Sequence, residues 1–151
     1  MATNSSPSDS KTPTISGSCL CQSIKYSLTG DPAATAICHC TNCQKSTGSP
    51  YMACAFYPRS QFNITQGGEH LRTYADTATA SGATLNRDFC GICGSNIFGS
   101  KSSNEEMIIV TVGTMDDSKG WRPQRELFCR SRLDYIPKVE GAEQFETTIP
   151  R

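Results

Sequence analysis

Residues 37–48 read ICHCTNCQKSTG, which places three cysteines, Cys38, Cys40 and Cys43, within six positions. A closed structural zinc site takes four ligands, whereas a catalytic one keeps three and leaves a position open. Everything else in the chain bears on which of these the triplet forms. Seven of the nine cysteines fall into three groups: Cys19-x-Cys21, Cys38-x-Cys40-x-x-Cys43 and Cys90-x-x-Cys93. Cys54 and Cys129 stand alone in apolar contexts, MACAF and LFCRS, where cysteine behaves as a small hydrophobe.

The segment CLCQSIKYSL, residues 19–28, alternates and reads as a strand with Ile24, Tyr26 and Leu28 on one face. On such a strand Cys19 and Cys21, two residues apart, share a face. Cys90 and Cys93 lie in FCGICGSN, the form of a zinc knuckle, whose glycines let the backbone curl so that amide groups face the thiolates. The pair and the knuckle together supply four sulfurs, the donor set of a closed tetrahedral zinc site. Such a site ties two distant parts of the chain, and its binding energy counts as folding energy.

That partition leaves Cys38, Cys40 and Cys43 with an open fourth position. His39 lies between two same-face cysteines, so its side chain is expected on the opposite side. A fourth thiolate from Cys54 or Cys129 would instead close this second site. Sending Cys38 and Cys43 to the knuckle would orphan the first pair and is less economical.

Short strands are also expected at 50–57, 61–65, 70–76, 84–90, 95–100, 107–113 and 125–130, separated by Gly- and Pro-containing turns, with one helical turn at 41–47. The expected class is mainly β. Residues 1–15, rich in Ser, Thr, Pro and Asn, read as a disordered tail, and 16–151 as a single domain.

With 14 Lys and Arg against 14 Asp and Glu, the 151-residue chain has zero formal net charge. This argues against nucleic acid or an anionic membrane as the main partner. The longest apolar run, MIIV, is far too short to span a bilayer. The N-terminal residues lack the apolar core of a secretory signal, so the expected location is cytoplasmic. Clustered cysteines in a reducing compartment are metal ligands more often than disulfides.

The strings SGSCLCQSIKYSLTG, CHCTNCQKSTGSP, RDFCGICGSNIF and VTVGTMDD, in that order and spacing, resemble the glutathione-dependent formaldehyde-activating enzyme family, whose domain is shared with centromere protein V. The resemblance runs from about residue 17 to about residue 117 and continues more faintly through RPQRELFCRSRLDY. It implies a "beta-tent" fold and two zinc ions per chain. Cys19, Cys21, Cys90 and Cys93 would hold the structural zinc, and Cys38, Cys40 and Cys43 the catalytic one. It also implies a lyase making or breaking a carbon–sulfur bond, with a small-molecule substrate such as glutathione or an aldehyde.

Family members often carry a histidine near the place of Glu126 and a tryptophan near that of Tyr135. Asp116, Glu126 and His39 are the candidates for moving a proton, with Asp117 beside them, and Arg87, Arg125, Arg130 and Arg132 for recognising a carboxylate. Two other readings use the same residues. One is an addition, elimination or isomerisation on a metabolite without glutathione, and the other a non-catalytic zinc-stapled binding module.

Overall fold

The computed structural model describes residues 12–150. Among these residues eleven strands form two sheets. The smaller is antiparallel, in the order β1 (Thr14–Ser18), β2 (Lys25–Thr29) and β5 (Phe62–Gln66). The larger contains β3 (Ala34–Cys38), β4 (Met52–Pro58), β6 (Leu71–Asp76), β7 (Leu85–Cys90), β8 (Asn96–Lys101), β9 (Asn104–Thr111), β10 (Arg125–Leu127) and β11 (Glu143–Gln144). Its order is β11-β10-β3-β4-β9-β8-β7-β6. Only β10 pairs in parallel, with β3 on one side and β11 on the other. Helix α1 (Thr41–Thr47) follows β3.

Alternation along the central strands creates two apolar layers, because successive side chains point to opposite faces of a sheet. On β4, Ala53, Ala55 and Tyr57 face the main core, where they meet Tyr26 and Leu28 of the small sheet and Ile24 just before β2. Met52, Cys54 and Phe56 face the other way, into a second cluster with Ala36, Cys38, Cys43 and Leu127. On β9, Ile108 and Val110 join the first layer and Ile109 the second. One side of the large sheet is thus sealed by the small sheet, while the other carries the triplet.

The close approach of the sheets explains Gly17. A Cβ there would lie 2.1 Å from Cζ of Tyr26, whose hydroxyl bonds Thr114 Oγ1 at 2.8 Å. Any side chain would displace this buried ring.

The mainly β class and the helical turn at 41–47 agree with the sequence reading. Three expectations need correction. Residues 19–28 are not one strand. β1 begins at Thr14, within the segment read as tail, and 19–23 is the turn joining it to β2. Residues 1–11 of that segment lie outside the described residues. Second, β3 was not anticipated. Its sequence ATAIC has no clear alternation, because four of its five residues are buried in a central strand. Third, β11 is a two-residue element whose pairing rests on β10 rather than on its own composition.

Candidate metal centres and the cavity between the sheet face and the helix

The β1–β2 turn and the β7–β8 turn meet at one end of the molecule. There the Sγ atoms of Cys19, Cys21, Cys90 and Cys93 all lie within 4.8 Å of one another. Cys19 and Cys21 are 3.5 Å apart, and Cys21 and Cys90 3.8 Å. Sulfurs at the corners of a zinc tetrahedron with bonds of about 2.3 Å stand about 3.8 Å apart, so the donor set and its spacing fit the ion. The pair converges through the turn, not through a shared strand face. Backbone amides point at the sulfurs, Ile24 N–H to Cys19 at 3.3 Å and Ile92 N–H to Cys90 at 3.4 Å. Gly94, at φ +77°, turns the chain so that its amide bonds the Cys90 carbonyl at 2.8 Å. A hydrogen bond from the Ser95 hydroxyl pulls the Cys93 thiol down to about 5.

The second group forms where β3 runs into α1. Cys38 ends the strand, Cys40 caps the helix by accepting the Cys43 amide at 3.3 Å, and Cys43 comes round on the first turn. Their three sulfurs also lie within 4.8 Å of one another. Hydrogen bonds from Cys38 and Cys43 lower the Cys40 thiol, and the same contact with Cys40 raises Cys38. Hydrogen bonding among the sulfurs favours one thiolate at the expense of its neighbours, whereas a metal ion would let all three ionise together. Neither lone cysteine joins the set. Cys54 donates to the Ala36 carbonyl at 3.3 Å, and Cys129 to the Glu126 carbonyl at 3.4 Å.

This group opens into a cavity of about 570 Å³, within the range of roughly 300–1,000 Å³ usual for small-molecule sites. Cys38, Cys40 and Cys43 line it. So do apolar Met52, Phe56, Ile109, Leu127 and Phe128 from the second layer, and the cations Arg87, Lys101 and Arg130.

Side chains on two flanks hold the triplet. On one, His39 lies fully buried opposite its cysteine neighbours, as the alternation requires, and its Nε2–H donates to Glu126 Oε1 at 2.8 Å. Its Nδ1 has no partner among the described residues. Burial alone would raise the Glu126 carboxyl. Hydrogen bonds from Gln144, His39 and the Val139 amide, with the charge of Arg132, hold it below the usual range instead. On the other flank, Asp76 accepts Asn42 Nδ2 on both oxygens, at 3.1 and 3.0 Å, and Arg87 Nε and NH2 at 3.0 and 2.9 Å. Asn42 lies in the first turn of α1, between Cys40 and Cys43, so Asp76 ties that turn to β6 and β7.

None of the three expected proton carriers lines the cavity among the described residues. Asp116 is bound to Ser16 Oγ at 2.7 Å, across the molecule on β1, and Glu126 and His39 bond each other behind the triplet. Of the four arginines, Arg87 and Arg130 line the cavity and Arg125 does not, while Arg132 pairs with Glu126 at 3.4 Å. Sequence reasoning missed Lys101, Asp76 and Asn42. Nothing in their local sequence marks them, since the topology alone brings them to the triplet.

The β framework thus carries two cysteine groups that could each hold a metal ion, one of four sulfurs between two turns and one of three facing a cavity. The sequence profile of the family described as "Glutathione-dependent formaldehyde-activating enzyme" matches residues 14–131, and the chain belongs to that family. A protein of Talaromyces marneffei named "Putative glutathione-dependent formaldehyde-activating enzyme" is 28% identical over 131 residues, covering 83% of this chain and 67% of that protein. The crystal structure of a Rhodobacter sphaeroides protein superposes with a TM-score of 0.53 at 19% identity, covering 86% of this chain and 98% of that one. At that identity the likeness is one of fold.

Proposed function

We propose that the protein is a zinc-dependent lyase-type enzyme that joins a small anionic thiol, glutathione or a relative, to an aldehyde carbon, or separates them. One observation carries this reading: the three-cysteine group faces a cavity with cationic walls, while the four-cysteine group has its full donor set. Cys19, Cys21, Cys90 and Cys93 would hold a structural zinc, and Cys38, Cys40 and Cys43 a second. The second ion would supply Lewis acidity and one free position for a ligand.

The chain's own residues do the rest. Lys101 and Arg130 favour a substrate carrying carboxylates, and Arg130 can bind one through two parallel hydrogen bonds. Met52, Phe56 and Phe128 displace water from the reacting end, which strengthens those interactions. Adding a thiol to formaldehyde forms one S–C bond, turns the carbonyl into a hydroxyl and moves the thiol proton onto that oxygen. No oxidant is required, only a side chain that holds a proton at the wall. Arginine does not release one, and burial pushes the Cys54 thiol up. Lys101 is therefore assigned this role. With Asp116 across the molecule and His39 and Glu126 behind the triplet, these three are assigned no contact with substrate. No helix among the described residues is long and apolar enough to cross a membrane, and the proposed location is the cytoplasm.

The test is metal content before and after a mild chelator, followed by exchange between formaldehyde and its glutathione adduct observed by NMR. Two zinc ions, one of them removable without unfolding, and exchange that depends on the removable ion are expected. A metal-loaded protein that leaves the exchange at its solution rate would sink the enzymatic reading in favour of a binding module.

A further inference from the structure

Arg87 is a buried cation that reaches from β7 to the triplet. Its guanidinium is planar with five donors in a fixed fork. Asp76 takes the side formed by Nε and NH2, and Asn42 fixes Asp76 in turn. The other branch, NH1, is left pointing at the triplet, 4.0 Å from Cys43 Sγ and 3.3 Å from Ser46 Oγ. Arg87 also lines the cavity, so the contact with Cys43 sits where a substrate would react. The charge of Arg87 also reaches Cys40, but among the described residues its hydrogen bond to a sulfur of the triplet goes to Cys43 alone, and the Cys40 sulfur accepts the Cys43 amide instead.

This arrangement answers a chemical difficulty. A site that handles an electrophilic carbon beside three thiolates invites attack by its own cysteines. A thiolate that accepts a hydrogen bond from a cation has less electron density to offer and is a poorer nucleophile. We infer that Arg87 is a positioning residue that shields Cys43, so that the reacting sulfur is the substrate's and not the protein's. Asp76 and Asn42 serve the same end by fixing the direction in which NH1 points. The inference rests on the reading of Cys38, Cys40 and Cys43 as ligands of a metal.

The experiment is alkylation of the zinc-loaded protein by iodoacetamide, with each cysteine followed by peptide mass spectrometry, in wild type, Arg87→Lys and the double variant Asp76→Asn, Arg87→Met. The lysine retains a cation for Asp76 but cannot also reach Cys43, and the double variant removes both charges so that none is left buried alone. Alkylation of Cys43 is expected to rise about tenfold relative to Cys38 and Cys40 within the same molecules, at unchanged zinc content. Equal acceleration of all three would make Arg87 a packing residue only, and an unchanged Cys43 rate would overturn the shielding outright. Wild-type protein carrying a single zinc would overturn the reading of the triplet, and the shielding with it, before any alkylation is begun.

Discussion

The two cysteine groups use the same donor chemistry and differ in what surrounds them. The four-cysteine group lies at the surface, between two turns, with Leu20 and Ile92 exposed at the turn tips. Its support comes from backbone amides and from serines. The three-cysteine group lies against the sheet, and its support comes from buried ionisable side chains: His39 and Glu126 on one flank, Asp76 and Arg87 on the other. Backbone amides would suffice where four sulfurs around one metal complete the geometry by themselves. A site with one position left free lacks that fourth constraint, and the protein restores it with side chains anchored to separate strands.

The largest contrast should appear on removing one sulfur from each group. Cys90→Ser takes a ligand from the closed group and unties the β1–β2 turn from the β7–β8 turn. Metal binding there would be coupled to folding, so the variant is expected to lose cooperative thermal unfolding and to be recovered mostly insoluble. Cys40→Ser should lose one zinc by elemental analysis, keep a cooperative transition and lose activity. Equal damage from both substitutions would erase the distinction between a stapling and a working site.

A smaller effect is expected at the flank. Glu126→Gln keeps the shape but removes the charge that His39, Gln144, the Val139 amide and Arg132 converge on. Breaking a buried pair of this kind costs about 3–5 kcal/mol, to be read by denaturant unfolding at neutral pH. Because the folded-state carboxyl is held below its ordinary value of 4.5, its contribution is complete above that value and is lost as the pH falls through the lower, folded one. The gap between wild type and variant should therefore be constant near neutrality and close below about pH 4.5. Any metal would leave both proteins alike in acid, so the difference between them isolates the carboxylate. A gap that persists unchanged at pH 3 would mean the charge is not what matters.

How much of this was legible in the sequence follows from which interactions are local. The three cysteine groups, the Tyr26 face and the helical turn were readable because spacing along the chain sets them. The role of Glu126 was not, because a single carboxylate in RELF carries no mark of the His39 ring that meets it. That contact arises only because β10 lies parallel beside β3, aligning Glu126 with Ile37 and Leu127 with Cys38. Asp76 and Lys101 were illegible for the same reason. The first pair was placed correctly for the wrong local reason. Cys19 and Cys21 were expected to converge on a strand, and a turn containing Gln22 at φ +61° brings them together instead.

That residue has a counterpart at the other group, and the pair gives the subtlest test of the comparison. Among the described residues, Gln22 and Phe128 are the two non-glycine residues with left-handed backbone, at φ +61° and +55°. Such a conformation costs an ordinary residue roughly 1–2 kcal/mol. Gln22 is exposed beside Cys21, so Gln22→Gly should relieve the strain and, after the extra flexibility of the unfolded glycine, stabilise by about 0.5–1 kcal/mol without touching activity. Phe128 is held differently, its amide bonded to the Thr147 carbonyl at 2.8 Å and that of Cys129 to the Phe145 carbonyl at 2.9 Å. Its ring lines the cavity. Strain that persists at a cavity wall is the kind that positions a side chain for a ligand. Phe128→Gly should thus destabilise by about 0.5–2 kcal/mol, because the lost packing of a half-buried ring outweighs the relieved strain, and raise KM for the thiol several-fold with kcat less affected. If both glycine variants behave alike in stability and kinetics, Phe128 is an ordinary turn residue, and the strain at the open group has no bearing on its chemistry.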